Sequence, residues 1–158
     1  MKTFQSQIKD VIYGNNVCVI MPSNLYGCTL GNNVFVGPFV EIQRDACIGE
    51  NTRIQSHSFI CSLVSIGKDC FIGHGVMFVN DLFENGYLAP NEQSWKKTII
   101  ANRVYIGSNA TILPISICDD VVIGAGSVVT KDIIKPGIYA GNPAKKLRDL
   151  KNKNSVCK

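Results

Sequence analysis

The sequence has 158 residues, of which 46% are hydrophobic and 18% charged, with a formal net charge of +4. That length fits one domain spanning 1–158 and suffices to bury a real core. Met1 to Asp10 shows no basic region leading into an apolar run, and no apolar stretch is long enough to cross a bilayer, so neither a secretory signal nor a membrane span is expected.

Seven cysteines (18, 28, 47, 61, 70, 118 and 157) form an odd set without CxxC spacing. They lie within apolar runs, where a free thiol behaves as a small hydrophobe. Reduced core thiols in a cytoplasmic protein are the expectation.

In chain order, Val11 and Val17 begin a periodic pattern, and Met21 to Thr29 is irregular. From Leu30 every sixth residue is large and apolar: Leu30, Val36, Ile42, Ile48, Ile54, Ile60, Ile66, Ile72 and Phe78. With roughly one residue in three of that kind, nine in a row has a chance probability below ~1 in 10,000. Four places on come small or branched residues such as Val34, Val40, Ala46, Thr52 and Ser58. The turn position between carries Asn33, Asp45, Asn51, Asp69, Gly75 and Asp81, types that tolerate positive φ. A period of six suits neither an amphipathic helix nor a hairpin meander. It suits short strands joined by tight turns, three to a coil, with each aliphatic stacked on its counterpart 18 residues away, about 4.8 Å along the axis.

Residues 81–98 break the repeat and are expected to be an extruded, functional loop carrying the lone Trp95. The pattern resumes at Ile100, Ile106 and Ile112, slips by one residue at Leu113-Pro114-Ile115, and continues at Ile117, Ile123 and Val129. AKKLRDL, from Ala144 to Leu150, is expected to form a short terminal helix. Much of the positive charge is local: Lys145, Lys146, Arg148, Lys151, Lys153 and Lys158 all lie in the last fourteen residues. Such a tail suits a phosphorylated ligand, an acidic surface or simple solvation. Neither nucleic acid nor a membrane is the expected partner.

The only two histidines also obey the coil arithmetic. His57 follows Ile54 by three places and His74 follows Ile72 by two, so both occupy one edge in neighbouring coils. Asn80 and Asp81 occupy a different edge, above Ser62 and Leu63 and above Arg44 and Asp45. Two edges of one chain cannot easily share a cleft, whereas edges of adjacent copies can.

These residues resemble the hexapeptide-repeat acyltransferase superfamily over nearly the whole chain. A left-handed parallel β-helix is what the resemblance implies, against the usual right-handed crossover rule. It also implies homotrimers with active sites between subunits. The more specific resemblance is to N-acetyltransferases of nucleotide-linked 3-amino-3,6-dideoxyhexoses. It rests on Gly37-Pro38-Phe39-Val40-Glu41-Ile42-Gln43, on His57-Ser58-Phe59-Ile60-Cys61 and above all on Gly73-His74-Gly75-Val76-Met77-Phe78-Val79-Asn80-Asp81. Ile106 to Pro114, the GAGSVVTKD run and GNPAK also match but are common across the superfamily.

On this resemblance acetyl-CoA is the co-substrate and no metal is needed. The acceptor is a dTDP-sugar of the Fuc3N or Qui3N type, destined for a surface polysaccharide or glycan. Asn80 would place the sugar amine through its side-chain carbonyl. His74 has the right chemistry to accept a proton near neutral pH, or to hydrogen-bond the substrate. Asp81, Glu41, Gln43, Arg44, His57 and Trp95 are candidates for the sugar and nucleotide. Arg44 could meet a phosphate or pair with Asp45 or Glu41, and Trp95 could stack on the ligand or pack its loop on a neighbouring subunit. The family's CoA groove maps Gly107, Ser108, Ala125 and Gly126 to the pantetheine, and Lys131, Asn142, Pro143 and Lys145 to the adenine and phosphates.

Competing readings are an acetyltransferase for a UDP-linked 3-amino uronic acid, an O-acetyltransferase, and a non-catalytic solenoid. A zinc hydratase on this fold needs three histidines per site, which two positions cannot supply.

Overall fold

The computed structural model describes residues 1, 7–83 and 86–150. The expected basic residues Lys151, Lys153 and Lys158, and also Cys157, lie outside the described residues. Strands of two to four residues follow one another round a three-sided left-handed coil, and up to Gly137–Ala140 they stack in parallel from one turn to the next. Three sheets result. Face A runs from Ile8–Lys9 through Asn24–Tyr26, Glu41–Ile42, Phe59–Ile60, Met77–Phe78 and Thr111–Ile112 to Val128–Val129. Face B begins at Ile12–Tyr13 and ends at Ser116–Ile117, and face C begins at Cys18–Val19 and includes Gly137–Ala140. Among the described residues no helix is long and apolar enough to cross a membrane.

The six-residue period decides which side chains enter. On face A, Leu25, Ile42, Ile60, Phe78, Ile112 and Val129 form one inward column, all essentially buried. Ile48, Ile66, Ile100 and Ile117 do the same on face B, and Val36, Ile54, Ile72, Ile106 and Ile123 on face C. Each buried side chain of this size contributes roughly 1.5–3 kcal/mol. The smaller buried residues fill the corners. Among the described residues the buried polar side chains are all hydrogen-bonded: Thr52 Oγ1, for example, donates to the Gly67 carbonyl and Ser58 Oγ to the Gly73 carbonyl, each at 2.8 Å. Val11 and Val17 are half-buried against the first coil, as the pattern requires.

The turn residues adopt the left-handed conformation at Asn33, Asp45, Asn51, Asp69 and Gly75. Asp81 does not, because the chain leaves the coil there. Between faces B and C these residues form a ladder: Asn16 donates to Asn33 (3.2 Å), Asn33 to Asn51 (3.0 Å) and Asn51 to Asp69 (2.9 Å).

Register reports the two irregularities. Paired residues are 18 apart in the middle coils, as for Cys47 and Ser65. They are 17 apart after the Leu113-Pro114-Ile115 slip, as for Ile99 and Ser116, and 17 apart again below Met21 to Thr29, as for Ile12 and Thr29. Ser65 and Ile99 pair at a separation of 34, the loop having been looped out whole.

Two expectations are corrected. Residues 144–150 are not helical: Lys145–Arg148 is a strand, antiparallel to Gly137–Ala140, with Ala140 opposite Lys145. Leu147 and Leu150 alone cannot furnish a helix with an apolar face, whereas Gly137–Ala140 offers an open line of peptide groups that a reversed strand satisfies. The cysteines are not uniformly core residues either. Cys28, Cys61 and Cys70 are buried, but Cys18 and Cys47 are exposed and Cys118 half-exposed. Cys18 and Cys47 take the outward place in a two-residue strand, beside an inward Val19 or Ile48. Burial pushes the Cys28 thiol to about 11 and that of Cys61 to about 12.

Native alkylation at mildly alkaline pH should therefore label Cys18 and Cys47 well before Cys28, Cys61 and Cys70, as read by peptide mass spectrometry. Ile60→Ala should cost about 2–5 kcal/mol in a denaturant titration. Excising residues 82–97 restores the spacing of 18, and that variant should keep the parent's circular dichroism spectrum; an unfolded product would show the loop to be part of the core.

Candidate functional site

The coil's corners carry the polar chemistry, and two of its three edges matter. The edge between faces C and A stacks Pro38-Phe39, Ser56-His57, His74-Gly75, Ser108-Asn109 and Ala125-Gly126. The same backbone hydrogen bond recurs up the column, from Asn109 to the His74 carbonyl and from Gly126 to the Ser108 carbonyl, both at 2.8 Å. A glycine precedes the corner because the coils nearly touch: a Cβ on Gly107 would lie 2.5 Å from the Ala125 nitrogen, and one on Gly73 would lie 2.7 Å from that of Ser108. The edge is consequently thin, with peptide groups close to the surface above His74. His74 and His57 share this edge, as their spacing required, and both are exposed.

His74 Nδ1 lies 2.8 Å from Ser56 Oγ. That contact orients the ring and leaves Nε2 as the nitrogen available to a ligand. The sequence reading passed over Ser56, although it stands 18 residues before His74 on the same edge.

The edge between faces A and B stacks Arg44-Asp45, Ser62-Leu63 and Asn80-Asp81. Half-buried Asn80 sends its amide nitrogen toward the Ser62 carbonyl at 3.4 Å. Its donor end is thus engaged with the coil, and its side-chain carbonyl is the end left to accept. Gln43 bridges two levels: its carbonyl accepts from the Ser62 N–H at 3.2 Å and its amide donates to Glu41 at 2.9 Å. Glu41 also accepts from Asn24 at 3.4 Å. Tyr26 joins this group, its phenol held above the ordinary value by burial and then by the Glu41 charge. Asn24 and Tyr26 escaped the sequence reading because they sit in the irregular stretch, yet each precedes Glu41 or Gln43 by 17 residues, one shortened coil.

The loop leaves from this second edge. Asp81 accepts from the Phe83 N–H (2.9 Å) with one oxygen and from the Ala89 N–H (2.8 Å) with the other, so its carboxylate braces the loop base. The Lys96 N–H donates to the Asn80 main-chain carbonyl at 2.9 Å where the chain returns. Arg44 pairs with Glu92, at the start of the loop's single turn of 3-10 helix, and not with Asp45 or Glu41. Glu41 is engaged by Asn24 and Gln43 instead, and the loop brings a carboxylate that no sequence spacing could have shown. Together these contacts frame a hollow of about 470 Å³ walled by Asp81, Leu82, Tyr87, Leu88, Ala89, Pro90, Ser94 and Lys96. Trp95 is half-buried beside the 3-10 turn, outside that wall.

The candidates therefore fall into two groups on either side of face A. His57, His74, Gly107, Ser108, Ala125, Gly126 and the Asn142–Pro143 corner belong to one edge, with Lys145 following in the reversed strand. Gln43, Arg44, Asn80, Asp81 and the exposed Lys131 belong to the other, with Glu41 between them on face A itself. His74 and Asn80 are six residues apart across strand Met77–Phe78, a span of up to ~20 Å. One chain does not bring them together.

Comparison with known proteins follows the same division of fold and detail. Residues 27–62 match the bacterial transferase hexapeptide (six repeats) model, and residues 63–77 and 97–131 match the hexapeptide repeat of succinyl-transferase. The bifunctional protein GlmU of Streptococcus uberis is 34% identical over 124 residues, covering 78% of this chain but 25% of that protein. The chain thus spans about a quarter of that relative. Among solved structures, a point mutant of AntD, an N-acyltransferase from Bacillus cereus, in complex with dTDP and coenzyme A superposes with a TM-score of 0.79 at 22% identity, covering 92% of this chain and 86% of that one. A maltose O-acetyltransferase from Clostridium difficile superposes at 0.63 and 23% identity over 89% of this chain and 72% of that one. At such identities the likeness to the solved structures is one of fold. The two repeat models meet end to end at residues 62 and 63 and resume across the extruded loop, and the chain belongs to the hexapeptide-repeat acyltransferase superfamily.

Proposed function

We propose that this protein moves an acetyl group from acetyl-CoA to the 3-amino group of a nucleotide-linked 3-amino-3,6-dideoxyhexose, working as a homotrimer with its sites between subunits. The observation that carries the reading is the split of the site across face A. A peptide-lined edge centred on His74 lies on one side, and Asn80, the Glu41–Gln43 network and the loop lie on the other. Each half is chemically incomplete alone, and a threefold assembly would set the His74 edge of one copy against the Asn80 edge of the next.

The chemistry then follows from positions. CoA would run along the thin edge past Ser108 and Ala125, with its phosphates toward Lys145 and a neighbour's Lys131. The amine nitrogen, held by the Asn80 side-chain carbonyl, attacks the thioester carbon. The carbonyl oxygen gains charge that nearby peptide N–H groups can stabilise, and the intermediate collapses by breaking the C–S bond. The proton shed by the nitrogen goes to His74 Nε2 or to the departing thiolate. Orientation of amine and thioester can supply a large share of the acceleration in such a transfer. Because a sugar amine is partly unprotonated near neutral pH, a strong base is not indispensable.

A second reading has the amine at C4, since another point mutant of AntD was crystallised with dTDP-4-amino-4,6-dideoxyglucose and coenzyme A. The deciding experiment offers acetyl-CoA with dTDP- and UDP-linked 3-amino and 4-amino sugars, UDP-linked 3-amino uronic acid and hydroxyl acceptors such as maltose, reading released thiol. Turnover confined to hydroxyl acceptors would overturn the N-acetyl assignment, and no turnover with any acceptor would return the protein to the non-catalytic solenoids. His74→Ala should retain part of the activity at saturating substrate, whereas Asn80→Ala should lose more. Equal rates for the two variants would refute that ranking.

A further inference from the structure

We infer that Phe39 is the stacking platform for the pyrimidine base of the nucleotide ligand, a subsite resting on the nucleotide-sugar reading above. The left-handed corner position is filled elsewhere mostly by residues that tolerate it, such as Asn33, Asp45, Asn51 and Asn109. On the His74 edge two consecutive coils depart from this, with Phe39 at φ 58° and His57 at φ 64°. A bulky side chain with positive φ is strained, and such strain gathers at binding sites. The two rings stack, centroids 4.9 Å apart and planes 25° from parallel. Phe39 nonetheless stays 57% exposed.

What borders the ring is a hollow of about 380 Å³, shared with Pro22, Asn24 and Glu41. Its apolar wall is Phe39 with Pro22, and its polar rim is an amide beside a carboxylate. That combination suits a flat heterocycle, whose faces are apolar and whose edge carries donors and acceptors. Position agrees. Phe39 lies two coils below the corner that holds His74 and Gly75, about 10 Å along the axis. The CoA edge at Ser108 and Ala125 lies above His74. An acceptor with its amine at His74 thus has the side away from CoA open to it, and a diphosphate and ribose span roughly the two coils down to Phe39.

The test uses the intact protein and dTDP as the probe, with inorganic pyrophosphate and acetyl-CoA as controls, by titration calorimetry. Phe39→Asn is the informative variant, since asparagine already fills this corner in other coils and keeps the turn. It should weaken dTDP binding by about 10- to 100-fold, the range for loss of one base stack. Pyrophosphate and acetyl-CoA affinities should stay within about threefold, and the sedimentation coefficient should not change. Phe39→Tyr should bind dTDP as the parent does. Unchanged dTDP affinity in Phe39→Asn would overturn the subsite, as would a parallel loss for acetyl-CoA or a change in assembly. A parent protein that binds acetyl-CoA but neither dTDP nor UDP would instead remove the nucleotide-sugar reading itself.

Discussion

A strand of two residues makes too few hydrogen bonds and buries too little surface to exist alone, so every strand here depends on the coils above and below it. The stacking of Ile42 on Leu25, Ile60 on Ile42 and Phe78 on Ile60 is therefore both the core and the ruler of the molecule. Because the inward residue recurs at a fixed interval, everything between two inward residues is committed to a wall or a corner. Walls carry little chemistry. Corners carry nearly all of it, and their contents repeat at coil spacing, which is why His57, His74 and Ser108 end up in one column although they span 52 residues of chain.

That commitment explains what could be read from the sequence. The inward columns, the left-handed turn at Asn33 or Asp69, the slip near Pro114 and the common edge of the two histidines all follow from counting. Counting fails where the chain leaves the coil. Glu92 reaches Arg44 from a loop whose path no period describes, and Asp81 is committed to that loop's amides. It fails also where a residue's class hides its side: Cys18 and Cys47 sit in apolar runs but in the outward place of their strands. At Lys145–Arg148 the local composition suggested a helix, and the open strand Gly137–Ala140 beside it decided otherwise.

The same geometry bears on how function is distributed. With a coil rise near 4.8 Å, an elongated ligand meets one corner residue per coil, so its successive groups are handled by residues 17 or 18 apart. Ser56 under His74 and Ser62 under Asn80 fit this pattern, each supporting the residue one coil above it. A substitution at a corner is accordingly felt by its vertical neighbours more than by its neighbours in sequence.

The reversed strand Lys145–Arg148 has a consequence for solubility. A parallel solenoid presents at its terminus the same peptide template that seeds amyloid growth, and any passing chain segment could add to it. Here, among the described residues, face C finishes in a strand of opposite direction bearing two lysines and an arginine, all solvent-facing. A newcomer would meet inverted polarity and like charge, which makes this side of the molecule a poor nucleus for fibres.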